Sequence, residues 1–209
     1  MSEDDPKRIV ERGYDAITER FATWQARISD ESRLRYLADL LELLPERPDV
    51  LELGVGAGVE SSQVLAARGR LTGIDLSREQ LRRARGRLPG ATLIRGDFTD
   101  VELPAAGFDA VVSFYVLNNL PQPELAPLFG RIAEWLRPGG WLLASLPSTD
   151  NPGWRGNWLG VEMYFAGCDP ATNRALAEQA GLEVVRDELE MMVEPDGEVR
   201  WQWLLARRL

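Results

Sequence analysis

Three glycines at alternate positions follow a short apolar run near residue 50. Residues 50–58 read Val-Leu-Glu-Leu-Gly-Val-Gly-Ala-Gly. Because glycine lacks a Cβ, the chain can turn sharply at Gly54, Gly56 and Gly58 and can approach a ligand closely there. A helix predicted from Val59 would point its amino-terminal amides at the bound group. The pattern therefore favours a binding site at the end of a buried parallel strand.

The next apolar run, Leu71-Thr-Gly-Ile-Asp75, ends in an acid. An acid at the end of the second strand of such a unit can accept hydrogen bonds from both hydroxyls of a ribose. The spacing differs from the dinucleotide-binding fingerprint, because Val59 stands where that pattern requires its third glycine. The glycine turn and Asp75 together predict a cofactor that contains a nucleoside.

Composition narrows the possible chemistry further. The chain has 209 residues with 44% hydrophobic content, enough for one α/β domain with a sizeable core. Its formal net charge of −9 argues against a protein that grips nucleic acid through phosphates. The sequence shows no apolar run long enough to span a membrane and no signal peptide, so we expect a cytoplasmic protein without a membrane partner.

The chain contains no histidine and a single cysteine, Cys168. A histidine-dependent catalytic triad, a histidine-liganded zinc site and a cysteine-based zinc cluster are therefore excluded, and we expect no metal. Any general base must be Asp, Glu, Tyr, Cys, a water supported by Arg, or the substrate itself.

Periodicity predicts alternating strands and helices. Two helices are expected within 6–44, the second capped by Ser29-Asp30 and ended by Pro45. Strands are predicted over 50–53, 71–75, 92–95, 110–114 and 141–146, with helices over 59–68, from 78 to about 88 and over 123–136. The terminal part reads as a helix over 170–180 and two strands, 183–193 and 199–206, around a turn. This alternation implies a mostly parallel sheet with crossover connections.

Five motifs occur in a consistent order along the chain. They are Glu52-Leu-Gly-x-Gly-x-Gly58, Gly73-Ile-Asp-Leu-Ser77, Arg95-Gly-Asp-Phe98, Phe108-Asp-Ala-Val-Val-Ser-Phe-Tyr-Val-Leu-Asn-Asn-Leu120 and Leu136-Arg-Pro-Gly-Gly-Trp-Leu-Leu143. This series resembles the class I S-adenosylmethionine-dependent methyltransferases of the small-molecule type. The resemblance implies a Rossmann-like sheet of seven strands, with helices on both faces and an antiparallel strand of the terminal hairpin inserted between strands five and six.

The resemblance also implies an organisation and a cofactor. We expect a single domain over 1–209, made of a helical cap (1–46), a cofactor-binding core (47–146), an acceptor-side loop (147–168) and a terminal helix and hairpin (169–209). The cofactor would be S-adenosylmethionine, with Asp75 on the ribose, Asp97 and Phe98 at the adenine, and Glu52 near the methionine amino group. The full expected set is Tyr14, Glu52, Leu53, Gly54, Gly56, Gly58, Asp75, Leu76, Asp97, Phe98 and Ser113.

The segment after the fifth strand fits neither the helical nor the strand period. It is rich in proline, glycine and aromatic residues, and it follows the sheet edge where ligands bind in open α/β folds. We interpret it as a loop that walls an acceptor pocket; the alternative is a satellite cluster that only packs beneath the loop. The expected pocket residues are Tyr115, Asn118, Asn119, Trp154, Trp158, Met163 and Tyr164, and the candidates for a catalytic role are Tyr14, Tyr115, Asn119 and Glu162.

These features favour an enzyme that methylates a small molecule by in-line displacement, acting as a monomer or homodimer. Without histidine, we expect an acceptor that is already nucleophilic, such as a carboxylate, enolate, phenolate, thiolate or free amine. The alternatives are a non-catalytic S-adenosylmethionine-binding sensor or partner subunit, and an NAD(P)-dependent oxidoreductase, which the glycine spacing opposes. A nucleic-acid methyltransferase is disfavoured by the acidic charge.

Overall fold

A computed structural model describes residues 4–28 and 31–209. The elements, in chain order, are α1 (Pro6–Gln25), α2 (Glu31–Leu43), β1 (Asp49–Leu53), α3 (Glu60–Arg68), β2 (Arg70–Asp75), α4 (Arg78–Arg87), β3 (Thr92–Arg95), β4 (Phe108–Ser113), a 3-10 turn (Leu117–Asn119), α5 (Gln122–Trp135), β5 (Leu136–Pro147), β6 (Asn151–Trp158), β7 (Val161–Gly167), α6 (Pro170–Gln179), β8 (Leu182–Glu194) and β9 (Gly197–Arg208). The expected cap at Ser29-Asp30 lies outside the described residues. None of the helices in the described ranges is both long and apolar enough to cross a membrane.

Seven strands form one sheet in the order β3-β2-β1-β4-β5-β9-β8. Strands β1 to β5 pair in parallel, and β9 runs antiparallel between β5 and β8. The predicted fold is therefore confirmed, including the insertion of the last strand. Because β1, β2 and β4 are parallel neighbours, their carboxyl ends meet at one edge, where ligands bind in open α/β sheets.

Helices cover both faces of this sheet. On one face, α5 and α6 pack through residues such as Phe129 and Ala177. On the other face, α2, α3 and α4 pack through a cluster that includes Tyr36 and Leu65. The Tyr36 ring stacks on Trp203 of β9 with ring centroids 4.5 Å apart, and this stack holds α2 over the inserted strand.

Residues 151–167 form a second, two-stranded sheet, so the expected irregular loop is replaced by a hairpin of β6 and β7. The hairpin packs against α1 through a buried cluster that contains Ile9, Ile17 and Met163. Gly13 allows the close approach, because a Cβ at that position would lie 3.2 Å from the carbonyl oxygen of Glu162 and closer still to Met163. Cross-strand pairing thus satisfies the backbone hydrogen bonds of this segment. Its proline, glycine and aromatic content did not predict these strands.

Polar contacts also attach α1 to the start of α4, directly after the carboxyl end of β2. Asp15 accepts hydrogen bonds from the Ser77 hydroxyl (2.5 Å) and from the backbone N–H of Glu79 (3.1 Å). Ser77 is the N-cap of α4, and its hydroxyl oxygen accepts from the backbone N–H of Gln80 at 3.1 Å. Asp15 therefore extends the cap of α4 and fixes α1 above the glycine turn.

Replacing Asp15 with Ala should lower the free energy of unfolding by about 0.5–2 kcal/mol, because two donors at the start of α4 lose a charged acceptor. Replacing Glu11 with Ala is the matched control. Its exposed ion pair with Arg95 also joins α1 to the sheet, but such a pair contributes only about 0–1 kcal/mol. Urea unfolding of both variants measures the difference. Equal losses would show that Asp15 does not stabilise α4 beyond an ordinary surface contact.

Candidate functional site

The glycine turn after β1 adopts a conformation that only glycine tolerates readily. The φ angles are +70° at Gly54, +54° at Gly56 and +68° at Gly58. The backbone N–H groups of Gly54 and Val55 both donate to the carbonyl oxygen of Ile74, at 2.8 and 3.0 Å. The turn is therefore anchored to β2 before any ligand binds.

The three glycines differ in what surrounds them. A Cβ on Gly54 would lie 2.5 Å from the Val116 side chain, and one on Gly58 would lie 2.9 Å from Leu88. A Cβ on Gly56 would meet no protein atom within 4 Å. Close packing within the protein thus accounts for Gly54 and Gly58, and only Gly56 leaves space for a ligand to approach.

Asp75 lies beside this turn and is held by two backbone donors. Its carboxylate accepts from the N–H groups of Gly56 and Ser77, each at 2.8 Å. Burial raises the pKa of Asp75 to about 6, although the two backbone hydrogen bonds oppose the rise. The carboxylate therefore ionises close to neutral pH. It also binds the backbone of the glycine turn while facing the cleft.

Glu52, at the end of β1, is buried with 3% of its surface exposed. Its Oε1 accepts from the Ser62 hydroxyl at 2.9 Å, whereas its Oε2 has no hydrogen-bond partner among the described residues. Burial raises the pKa of Glu52 to about 8. A buried carboxyl oxygen without a partner costs free energy, and a bound donor would recover it.

These groups line one depression at the carboxyl edge of the sheet, the glycine cleft. Its lining includes Tyr14, Arg33, Glu52, Gly54, Gly56, Asp75, Leu76, Phe98, Tyr115 and Asn119. Leu53, Gly58, Asp97 and Ser113 are not among the lining residues. Both oxygens of Asp97 have partners: Oδ1 accepts from Thr99, and Oδ2 pairs with Lys7 at 2.6 Å.

Tyr14 and Asn119 meet at the roof of the glycine cleft. The Tyr14 hydroxyl donates to Oδ1 of Asn119 at 3.2 Å, and Nδ2 of Asn119 donates to the Tyr164 carbonyl at 2.9 Å. Burial, followed by the negative charges of Asp75 and Glu194, raises the pKa of Tyr14 well above its usual range. Tyr14 therefore remains protonated at neutral pH and can orient a group but not remove its proton.

A second depression, the aromatic cavity, adjoins the glycine cleft and shares Tyr14, Phe21, Gln25, Arg33 and Tyr115 with it. Its other lining residues come from α1, the segment after α1, the 3-10 turn, the β6–β7 hairpin and the tip of the β8–β9 hairpin: Trp24, Ile28, Asn118, Trp158, Phe165, Met192, Glu194, Val199 and Trp201. Separate parts of the chain thus enclose one largely aromatic space beside the cleft.

Four of the residues expected in the acceptor pocket or in a catalytic role lie away from both depressions. Glu162 alternates with Met163 along β7, points to the opposite face of the hairpin and pairs with Arg155 at 2.7 Å. Arg155 lowers the pKa of this exposed Glu162 carboxyl, so the hypothesis of a general base there is abandoned. Met163 and Tyr164 are buried against α1, and Trp154 is 43% exposed and stacks on Phe165.

Several lining residues were not found from the sequence. Arg33 lies on α2, with its guanidinium 4.8 Å from the Tyr115 ring centroid, and no local pattern distinguishes it from the other arginines. Met192, Glu194 and Trp201 reach the aromatic cavity only because β9 is inserted beside β5. Phe21 follows Tyr14 at helical spacing, and this spacing is the one sequence signal that could have placed Phe21 beside the aromatic cavity.

Comparisons with known proteins agree with this architecture. A family described as "Methyltransferase domain" matches residues 50–140. An uncharacterized methyltransferase of Anoxybacillus flavithermus is 34% identical over 91 residues, covering 44% of this chain and 43% of that protein. Sterol 24-C-methyltransferase ERG6A of Gibberella zeae is 27% identical over 176 residues, covering 77% of this chain and 45% of that protein. The chain thus spans less than half the length of these two relatives.

A solved structure resembles the whole fold. It is the 1,6-didemethyltoxoflavin-N1-methyltransferase of Burkholderia thailandensis with bound 1,6-didemethyltoxoflavin and S-adenosylhomocysteine, at a TM-score of 0.65 and 20% identity, covering 95% of this chain and 90% of that one. The residues matched by the domain family include the glycine turn and Asp75. The family match over residues 50–140 and the sheet order both support the expected class I S-adenosylmethionine-dependent methyltransferase, with S-adenosylmethionine as its cofactor.

Proposed function

We propose that this protein transfers a methyl group from S-adenosylmethionine to a small molecule held in the aromatic cavity. The observation that carries the proposal is that the glycine cleft and the aromatic cavity adjoin and share the lining residues Tyr14, Arg33 and Tyr115. A donor in the first and an acceptor in the second would therefore meet at these residues. The sterol and toxoflavin enzymes among its relatives also act on small molecules, as their names state.

The residues of the glycine cleft fit the cofactor. Oε2 of Glu52 is a buried acceptor without a partner, as a methionine ammonium group requires. Asp75 would accept from the ribose hydroxyls, and Leu76 and Phe98 would flank the adenine. Arg33 is the cation among the cleft-lining residues and would pair with the methionine carboxylate. When bound, the cofactor supplies a methyl group on a positively charged sulfur.

The protein's own contribution would be orientation in a dry site. The aromatic residues exclude water, and Asn119 and Tyr14 fix the junction of the two depressions through their hydrogen bond. Holding two reactants in line can lower a barrier by about 7–11 kcal/mol. A binding protein without catalysis is the alternative, and the adjoining aromatic cavity favours the enzyme, because a sensor of the cofactor needs no second pocket.

We expect calorimetry to detect binding of S-adenosylmethionine and S-adenosylhomocysteine at micromolar concentrations and no binding of NAD or NADP. A screen of small acids, phenols, quinones, thiols and amines, read by S-adenosylhomocysteine release, tests turnover. Binding of a nicotinamide dinucleotide without S-adenosylhomocysteine binding would refute the proposal. Tight cofactor binding with no turnover in any class would favour the sensor.

Replacing Gly56 with Ala should weaken S-adenosylhomocysteine binding at least tenfold, since its Cβ would enter the space left for the cofactor. Gly181 is a matched control, because its φ is +84° and a Cβ there also meets open space, but it lies after α6, outside the cleft lining. Both changes should cost about 1–3 kcal/mol of stability through backbone strain. Equal cofactor affinity in the two variants would show that no ligand approaches Gly56.

Cofactor affinity should also fall as the pH falls through about 6, where Asp75 becomes protonated. The ionised carboxylate is the form that accepts two ribose hydroxyls, so binding should weaken by up to about tenfold per pH unit. Asp75→Asn should lose this step and bind about tenfold more weakly at neutral pH. A separate fall in cofactor affinity as the pH drops through about 8, where Glu52 becomes protonated, should persist in that variant. An unchanged profile in Asp75→Asn would mean that the ribose is bound elsewhere.

A further inference from the structure

The aromatic cavity has two distinct walls. In the outer wall, ring centroids of Tyr14 and Phe21 lie 5.2 Å apart, and Trp158 of the hairpin lies 5.8 Å from Phe21. In the inner wall, beside the sheet, the Tyr115 and Trp201 rings are 4.8 Å apart. Since both groups line the same cavity, two sets of rings bound one open space, the slot.

Such a slot suits a flat ring system. A planar aromatic molecule can contact rings on both sides, and each aromatic pair contributes about 0.5–1.5 kcal/mol beyond the buried area. A saturated ring of the same size is thicker and has no π face to match. The walls therefore select for shape and for aromatic character at once.

One carboxyl group, that of Glu194, lines this cavity. It lies at the end of β8, is partly buried, and has its pKa raised by burial and by the nearby charge of Asp196. The other ionisable groups facing the same space are the hydroxyls of Tyr14 and Tyr115 and the Arg33 guanidinium, which also faces the glycine cleft. Glu194 is the carboxyl group among these lining residues, whereas Tyr14 stays protonated, so we assign Glu194 as the group that accepts a proton from a ligand here.

We propose that the aromatic cavity binds a flat aromatic acceptor bearing an ionisable hydroxyl, and that Glu194 receives the hydroxyl proton as the methyl group is transferred. This assignment rests on the methyltransferase function proposed above. It adds the substrate class and a catalytic residue that the sequence motifs do not include.

The step balances without a further reactant. The O–H bond of the acceptor breaks and its proton passes to the Glu194 carboxylate. The oxygen electron pair forms a bond to the methyl carbon, and the electrons of the carbon–sulfur bond remain on sulfur. The products are an aryl methyl ether, neutral S-adenosylhomocysteine and protonated Glu194, which then releases its proton to solvent.

The first test compares 2-naphthol with 2-decalol, which has the same fused skeleton and hydroxyl but saturated rings. Calorimetry with the full chain saturated with S-adenosylhomocysteine should show 2-naphthol binding at least tenfold more tightly. Trp158→Ala should remove most of this preference. Trp154→Ala is the control, because Trp154 lies in the same hairpin outside the cavity. Equal binding of the two alcohols, or equal effects of the two variants, would overturn the assignment of the walls.

The second test measures methyl transfer at pH 8 to 2-naphthol and to 4-nitrophenol, whose hydroxyl is largely ionised at that pH. Glu194→Gln should slow transfer to 2-naphthol by about 10²-fold or more, as expected for loss of a general base. Transfer to 4-nitrophenol should change little, and the 2-naphthol rate should recover as rising pH ionises the substrate. Glu198→Gln, an exposed change in the same hairpin, should have no effect.

The outcomes separate this inference from the proposed function. If S-adenosylhomocysteine binds but neither hydroxyarene is methylated, or if amines or alkenes are turned over instead, the substrate class is wrong and the methyltransferase remains. If Glu194→Gln slows both phenols equally, Glu194 is not the base. If S-adenosylhomocysteine does not bind, the proposed function itself fails.

Discussion

The carboxylate of Asp75 joins the parts on which the site depends. It accepts from the N–H of Gly56 in the turn after β1 and from the N–H of Ser77 at the start of α4. The Ser77 hydroxyl then donates to Asp15 of α1. A continuous polar path thus runs from the glycine turn through the sheet edge to the helix that covers it. Because each link uses an ionised acceptor, the links are stronger than neutral hydrogen bonds.

Burial gives this edge of the sheet its electrostatic character. Glu52, Asp75 and Glu194 all have raised pKa values, and burial is the largest cause for each. A cleft with poorly solvated carboxyl groups favours ligands that bring positive charge or hydrogen-bond donors. In the proposed function, a cofactor with an ammonium group, a sulfonium and a ribose diol supplies both, so its binding would offset the cost of burying Glu52 and Asp75.

Most of the lining of the aromatic cavity comes from segments outside the five sequence motifs. Its outer wall comes from α1 and the β6–β7 hairpin, which pack together as one cluster around Ile17 and Met163. Its far end comes from the β8–β9 hairpin, whose Asp196 accepts from the Trp24 indole at 3.3 Å. In the proposed function, the core motifs would hold the methyl donor and these peripheral elements would hold the acceptor.

Local patterns in the sequence were enough to predict the strands of the parallel part of the sheet, the glycine turn and the strand-end acid, whereas the inserted antiparallel strand was expected only from the family resemblance. The apolar runs at 50–53 and 71–75 predict strands from neighbouring residues alone. Glycine in the turn likewise marks positions where φ must be positive. Tertiary structure decided the rest. Only packing shows that Gly56 faces a ligand whereas Gly54 faces Val116, and that Glu162 turns away while Glu194 turns inward. These outcomes depend on strand insertion and on which face of a hairpin is covered, and such long-range contacts leave no periodic trace in the residues that make them.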